Sequence, residues 1–374
     1  MAFFLYSFAL GTLFPRLGDL QLQMGLSEGE LGLSLVGAPI GVQLSLLVAN
    51  HVVARFSLAK VMITGLAVIM AVYVATAVAG SPALFFALLF VMGLSVGILE
   101  VAVNLEADRV EYGLKQRIMN RAHAFWSLGF FATGLLGAVM AQLGVSVLVH
   151  FAGFGLAVVV VTVLVFSGYI QAPFRPSAET ATPKFVKPTA AIMVLVCLTL
   201  SAMLAEGSAI EWSVIYMRDV FATLPLVNGM ALALTAFAQF LTRYFADRFV
   251  DRHGPRRVAG VCVWIMLAGV ILVAAAPVWS VALLGFTCLG AGSSVIFPLA
   301  MSAAAQLEDR PAAVNVASLA QISFVVFLLS PPVLGLVAEH IGIRYAFALC
   351  LPLTILSLFS LHGLAAKPAV SAEQ

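Results

Sequence analysis

Apolar residues in this chain come in long runs rather than short alternations. Stretches of about 18 to 25 residues with few charges follow one another along its length, which is the reach a helix needs to cross a bilayer. Twelve such runs are predicted, at approximately 2–23, 28–54, 59–79, 82–106, 117–141, 145–169, 190–217, 224–247, 257–276, 278–305, 311–338 and 343–365. A polar, Pro- and Lys-bearing stretch, 171–188, divides them six and six. The pattern predicts an all-α membrane protein: an N-terminal six-helix bundle over 1–170, a central loop over 171–188, and a C-terminal six-helix bundle over 189–374. The first run lacks a basic segment ahead of it and is expected to be a retained span, with or without a few further residues upstream, rather than a cleaved signal.

Composition agrees with this reading: hydrophobic residues make up 62% and charged residues 10% of the chain, and the mean hydropathy is +1.09. Both values fall outside the range of ordinary soluble domains. A net charge of +2, with no long basic block, gives no footing for a nucleic-acid partner. Cys197, Cys262, Cys288 and Cys350 lie within apolar runs and form no Cys-x-x-Cys, so they read as small core residues rather than disulfides or metal ligands. No phosphate-binding Gly-rich loop, His-Glu-x-x-His or Gly-x-Ser-x-Gly element is present, so neither an enzyme nor a cofactor is expected.

Basic residues orient the spans. With both termini in the cytoplasm, Arg55, Lys60, Arg109, Lys115, Arg117, Arg121, Arg175, Lys184, Lys187, Arg243, Arg248, Arg252, Arg256, Arg257, Arg310 and Lys367 all fall on that side. Only Arg16, Arg218 and Arg344 fall on the other. This is the asymmetry that the positive-inside rule predicts for a multi-pass chain with both termini in the cytoplasm.

The two halves also repeat. Arg55-Phe-Ser57-Leu-Ala-Lys60 overlies Arg252-His-Gly254-Pro-Arg-Arg257, Gly93 overlies Gly290, and Gly137–Gly144 overlies Gly335–Gly342, each at an offset of about 197 residues. A shared offset argues for two parallel six-helix units related by an axis along the membrane normal.

Asp251-Arg252-His-Gly254-Pro-Arg256-Arg257 resembles the D-R-x-G-x-R-R signature of the major facilitator superfamily, in the loop between its helices 8 and 9. The resemblance covers essentially the whole chain. It implies twelve helices in two pseudo-symmetric bundles and transport by alternating access. Leu99-Glu100-Val-Ala-Val-Asn104 is similar to the L-E-x-A-x-N segment of helix 4 in the fucose:proton symporter branch. Ala205–Ser208, Glu211-Trp212 and His123–Gly129 resemble a bacterial inner-membrane group near that branch. Two departures stand out: Ala54 and Ser57 replace the acid and glycine in the first-half copy of the loop signature, and Gly11 stands where fucose permeases carry a helix 1 aspartate.

Candidate chemistry follows from polar residues inside apolar runs. A charge there is costly, so intramembrane acids generally face a polar cavity and handle ions, protons or substrate. Glu100 and Glu206 are the expected proton-coupling groups, with protonated packing roles as the alternative. Asn104 offers donor and acceptor groups suited to a hydroxylated solute. His123, Trp126, Ser127 and Phe130 recur at helical spacing and share a face, which lines the cavity or, for His123 and Trp126, anchors at the membrane interface. Gln321, the repeat counterpart of His123, joins Gln43, Asn315 and Phe297 as further expected substrate contacts, although amides also serve as interhelical glue. A break of helix 7 at Gly207 and Ser208 would turn both Glu206 and Glu211 inward, but for Glu211 the preferred expectation is a pairing with Arg218 near the periplasmic end, with Trp212 and Tyr216 forming an interfacial belt.

A gating charge cluster is expected from Arg243, Asp247, Asp251, Arg252, Arg256 and Arg257 around the turn at Gly254. Glu106, Asp108, Arg109, Glu111 and Lys115 read as solvated, with Glu111 and Lys115 spaced to pair. Together these residues predict a secondary transporter of a small polar solute, a sugar or related metabolite, driven by protons and working as a monomer. The alternatives are proton-linked efflux of a drug or metabolite, and a non-transporting receptor or scaffold.

Overall fold

Within hydrocarbon every backbone N–H and C=O must be satisfied inside the segment, so the apolar runs become helices. The computed structural model describes residues 1–116, 118–173 and 187–364. Residues 174–186 of the expected central loop, and the side assigned to Arg117, Arg175, Lys184 and Lys367, therefore lie outside the described residues.

The first span, α1, is in pieces: Ala2–Gly11, a 3-10 turn over Phe14–Arg16, and Leu17–Met24. Among the described residues, eleven further helices are long and apolar enough to cross a membrane. They are α2 Glu28–Arg55, α3 Leu58–Thr76, α4 Pro82–Leu114, α5 Met119–Gln142, α6 Val147–Phe166, α7 Ala190–Phe221, α8 Pro225–His253, α9 Pro255–Ala274, α10 Trp279–Ala305, α11 Val314–His340 and α12 Ile343–Leu364. Pro15 explains the broken first span, because it has no N–H to offer the carbonyl four residues back. The loosened backbone is recaptured locally: Tyr73 of α3 donates to the Leu10 carbonyl at 2.9 Å, and Thr12 to that of Phe8 at 2.8 Å.

The repeat is physical as well as sequential. Gly93 of α4 lies against the backbone of Ala38 on α2, and Gly290 of α10 lies against that of Thr235 on α8. Both helices of the second pair sit about 197 residues after those of the first, so the same small-residue contact is built twice. A Cβ at either glycine would run into a backbone carbonyl.

Contacts between the halves are uneven. α5 and α8 pack along their whole length: Gln142 accepts from the Leu226 amide at 3.2 Å, Gly134 and Gly229 allow close backbone approach, Phe131 tilts on Phe237 with centroids 4.9 Å apart, and Asn120 donates to Asp247. α2 meets α11 only through its first turns, where Gly32 abuts Pro331 and Gly335. At that point Glu339 accepts from the Gly29 amide at 3.0 Å and the Ser27 hydroxyl at 3.2 Å. α1 meets α7 near the same end, where Arg218 donates to the Gly18 carbonyl and to Gln21, both at 2.8 Å. Further down, the rest of α2 barely touches α11, and α4 does not pack on α10. Outside the α5–α8 seam, the halves are joined at the end carrying Arg218 and Glu339 and splayed at the end carrying the basic loops.

The three arginines left off the basic end each have a structural task. Arg16, 4% exposed, donates to the Val145 carbonyl at 2.9 Å and pairs with Asp19. Arg218 clasps α1 as described, and Arg344 donates to the Ala276 carbonyl at 2.7 Å while lying over the Phe221 ring.

Candidate functional site

Glu100 sits mid-way along α4, one turn before Asn104. Asn104 donates through Nδ2 to the Glu100 carboxylate at 2.8 Å and to its carbonyl at 2.9 Å. Tyr6 of α1, its ring almost fully buried, reaches the same helix and donates to the Val96 carbonyl, one turn before Glu100, at 3.5 Å. The acid predicted from sequence is thus held by an amide within the bundle, with a phenol on the neighbouring turn. Gly93 and Gly97, on the preceding turns, pack on α2 and bring α4 close enough to hold this geometry.

A second polar group is built around Arg243, which lies eleven residues before Gly254 and so about 16 Å up the α8 axis from the loop. Its guanidinium donates to both oxygens of Glu206 on α7, at 3.2 and 3.3 Å. It also donates to Ser127 Oγ on α5 at 2.8 Å and to the Ser294 carbonyl on α10 at 3.0 Å. That carbonyl is free because Pro298, four residues on, has no amide hydrogen to give it. His123 lies one turn before Ser127 on α5, its carbonyl accepting from the Ser127 hydroxyl at 3.4 Å. The site therefore draws on four helices from both halves, and Arg243 is its centre. Charge counting from the sequence assigns Arg243 to the cytoplasmic surface, and the structure corrects this. The available signal was its depth in the helix and its place in the Gln239–Arg243–Asp247 series at four-residue spacing.

The two polar groups are linked. His123 meets Phe3 edge-on with centroids 5.0 Å apart, and Phe3 is one turn from Tyr6 on α1. Trp126 stacks at a tilt on Phe130, 4.4 Å away, extending the aromatic face of α5. Ser127 is fully buried beneath Arg243. Phe297 contacts Phe324 of α11 edge-on at 5.6 Å, and Gln321 is half-buried on the same helix.

Other expected residues fall elsewhere. Gln43 is exposed on α2. Asn315, fully buried at the start of α11, donates to Asp309 in the preceding loop at 2.8 Å. That hydrogen bond, the largest influence on it, holds the Asp309 carboxyl below the usual aspartate range. Asn315 thus ties its Nδ2 to this loop, while its Oδ1 is buried without a hydrogen-bond partner among the described residues.

Helix 7 corrects a further expectation. α7 runs unbroken through Gly207 and Ser208, because Ser208 bonds back to the Ala205 carbonyl at 3.0 Å and Gly207 accommodates Phe327. Glu211 consequently does not turn toward Glu206. Nor does it pair with Arg218, whose partners are Asp219, Gln21 and Gly18. Its Oε2 is buried without a hydrogen-bond partner. Trp212, 1% exposed, and Tyr216, donating to the Val273 carbonyl at 2.5 Å, are core residues and not an interfacial belt.

The gating cluster also differs from expectation. Arg243 and Asp247 do not join, since the first turns to Glu206 and the second to Asn120. Asp251, Arg252, Arg256 and Arg257 are exposed around Gly254, and among the described residues no ion pair joins them. Gly254 itself has φ +79°, a conformation that favours glycine and explains its place in the motif. The group read as solvated is partly buried: Glu106 and Arg109 are 5% and 2% exposed and pair at 3.3 Å. Glu106 also accepts from Tyr169 at 2.7 Å and the Ala172 amide at 2.8 Å. Glu111 caps the start of α5, accepting from the Ile118 and Met119 amides at 2.7 and 3.0 Å.

Comparison with known proteins bears on the whole assembly. Residues 194–373 match the family model described as Major Facilitator Superfamily. An uncharacterized MFS-type transporter of Yersinia pestis is 28% identical, covering 96% of this chain and 92% of its own. The multidrug resistance protein MdtL of Escherichia coli is 24% identical over 81% of this chain and 80% of its own. Among solved structures, a mutant of the nucleoside transporter NupG superposes with a TM-score of 0.73 at 12% identity, covering 98% of both chains. A variant of the E. coli fucose:proton symporter FucP superposes at 0.59 and 18% identity, over 98% of this chain and 97% of that one.

Proposed function

The chain belongs to the major facilitator superfamily and is a multi-pass membrane transporter, and from that premise we propose that it moves a small polar solute by alternating access, coupled to protons through Glu100. The observation that carries this reading is the Glu100 carboxylate held inside the bundle by Asn104, with the Tyr6 phenol bonded one turn away on the same helix. An acid in a span is costly to keep, and one surrounded by neutral hydrogen-bond donors can exchange a proton without breaking a salt bridge. In this proposal Asn104, bonded to the Glu100 carboxylate, senses both the proton and a hydroxyl of the solute. NupG and FucP, whose names give a nucleoside and fucose as their solutes, supply the analogy for a hydroxylated substrate.

We take the basic end as cytoplasmic, on the positive-inside rule, with both termini on that side of a bacterial inner membrane. The splayed arrangement is then the state open to the cytoplasm. We take the halves to divide within 171–188 and one chain to enclose its own pathway as a monomer. A second reading, proton-linked efflux of a drug or metabolite, draws on the similarity to MdtL.

The test is proton flux in proteoliposomes carrying an internal pH-sensitive dye, with hexoses, nucleosides, organic acids and cationic drugs added in turn to wild type and Glu100→Gln. A solute-triggered flux lost in Glu100→Gln supports the assignment and names the solute class. Equal flux in both proteins removes Glu100 as the coupling acid. A response confined to cationic drugs favours efflux, and silence across the panel favours a protein that kept the fold without transport.

A further inference from the structure

Arginine keeps its proton under any condition a folded protein survives, whereas a carboxylate can take one. In the ion pair of α7 and α8 the charge of Arg243 is balanced by Glu206, with side chains 12% and 17% exposed. A proton arriving on Glu206 would remove that balance and leave a largely buried guanidinium without a counter-ion, an arrangement that is strongly unfavourable. Some other negative group must then take the place of Glu206, or the proton will not stay.

The geometry around Arg243 suits that exchange. Nε is fixed on the Ser294 carbonyl, the acceptor left open by Pro298. With Nε anchored, the edge carrying the two terminal nitrogens keeps its aim when the Glu206 carboxylate leaves, and that edge forms a two-pronged donor matched to a carboxylate. Ser127 Oγ, 2.8 Å from one of those nitrogens, offers a further hydroxyl. His123 stands one turn before Ser127 on α5, its carbonyl accepting from the Ser127 hydroxyl at 3.4 Å.

We propose that Arg243, with Ser127 and His123, forms a binding site for an anionic group on the transported solute, in the simplest case a carboxylate, and that proton uptake by Glu206 vacates this site for it. The proposal rests on the transport reading above and narrows its substrate class to polar solutes carrying a carboxylate. The charge balances at each step: one proton joins Glu206 as one negative charge reaches Arg243, so the cavity can reorient without a bare buried cation. The reverse exchange releases both on the other side.

The remaining ionisable groups on the surrounding helices have other positions. Asp247 of α8 is engaged by Asn120, and Glu211 is five residues further along α7. α10 carries only Cys288, and α11 carries only Glu339 and His340 at its far end. His123 of α5 is the rival proton carrier, so the test must separate it from Glu206.

Acetate serves as the probe, compared with neutral acetamide and with chloride at matched ionic strength. The readout is the thermal unfolding of the full-length purified protein in detergent at acidic and alkaline pH. The expected result is stabilisation by acetate over both controls at acidic pH only. Glu206→Gln should retain that stabilisation at both pH values, and Arg243→Gln should weaken apparent acetate affinity by about tenfold or more. The double variant Glu206→Gln/Arg243→Gln removes both charges of this ion pair together, so it should fold and not respond, which keeps the test intact if Arg243→Gln alone is unstable. Acetate acting no better than acetamide in both wild type and Glu206→Gln would overturn the site. If the pH dependence disappears in His123→Gln and persists in Glu206→Gln, the proton step assigned to Glu206 is wrong. Because the readout is binding and does not involve Glu100, its failure leaves proton-coupled transport standing, and a failed flux assay leaves the anion site to be judged on its own.

Discussion

Arg243 donates through Nε to the carbonyl of Ser294 at 3.0 Å, filling an acceptor that a regular helix would have kept for itself. The vacancy is created in the sequence, because Pro298 stands where the amide donor should be. α10 is accordingly divided, with regular segments Trp279–Ser293 and Ile296–Ala305 on either side of the gap. A proline on one helix thereby positions a cation on another.

That relationship predicts energetic coupling. Pro298→Ala restores an amide hydrogen that competes with Arg243 for the Ser294 carbonyl. Each single change should alter stability, and the double variant Pro298→Ala/Arg243→Gln should depart from additivity by about 1 kcal/mol, the size expected for residues sharing one hydrogen-bond network. Reversible unfolding of the four proteins of the cycle measures it. Strict additivity would mean that the carbonyl is satisfied independently of the arginine.

The buried group at the basic end predicts a pH dependence. Burial, followed by the hydrogen bond to Glu106, pushes the Tyr169 phenol up from the usual value near 10 to about 12. Folding favours the protonated phenol, so its contribution is fully present below the unfolded value and is lost as pH rises through the folded one. Tyr169→Phe should therefore lower stability by about 1 kcal/mol at neutral pH, the usual net worth of one hydrogen bond. The variant should also lack the part of the alkaline decline that wild type shows between the two values. Parallel stability curves across that window would show that the bond contributes nothing.

Glu211 gives a prediction of opposite sign. Its Oε2 is buried and makes no hydrogen bond, and a buried polar group without a partner is a net cost. Glu211→Met keeps most of the volume and removes that cost, so it should raise stability by about 1–3 kcal/mol. Thermal melts in the same detergent test this. A loss of stability would show that the carboxyl has a partner, such as water, that the folded protein depends on.

The limits of sequence reading are visible in these same residues. The spans were legible because hydrocarbon forces a long apolar run into a helix, and the repeat was legible because Gly93 and Gly290 recur at one offset and make matching contacts. Glu100 and Asn104 were legible as a pair because helical spacing alone puts them on one face, and they do hydrogen-bond. Arg243 was not, since a charge in a helix that ends in a basic loop looks like part of the loop; its role depends on Glu206, Ser127 and Ser294, which are remote in sequence. Glu111 fails for a related reason. Its spacing to Lys115 suggested a surface pair, whereas the chain reversal brings the first amides of α5 to it.

The closed end provides the last prediction, about conformational change. Gly32 of α2 and Gly335 of α11 meet with backbone against backbone, and any Cβ at Gly32 would strike the Pro331 carbonyl. Pro331 is rigid and sits inside α11, so the carbonyl cannot easily rotate away. Gly32→Val should therefore separate α2 from α11 where Glu339 now holds Ser27 and Gly29. Proteins of two packed units respond to such a wedge by shifting between existing arrangements, because packed interfaces are bistable rather than continuously deformable. Spin labels at the exposed positions Leu22, at the end of α1, and Leu224, just before α8, report on this end. Their separation should lengthen in Gly32→Val relative to wild type, with the change opposed by a solute or pH that favours the splayed state. An unchanged distance distribution in a folded Gly32→Val protein would mean that the α2–α11 contact is not what holds this end closed, and would pass that role to the Arg218 clasp between α7 and α1.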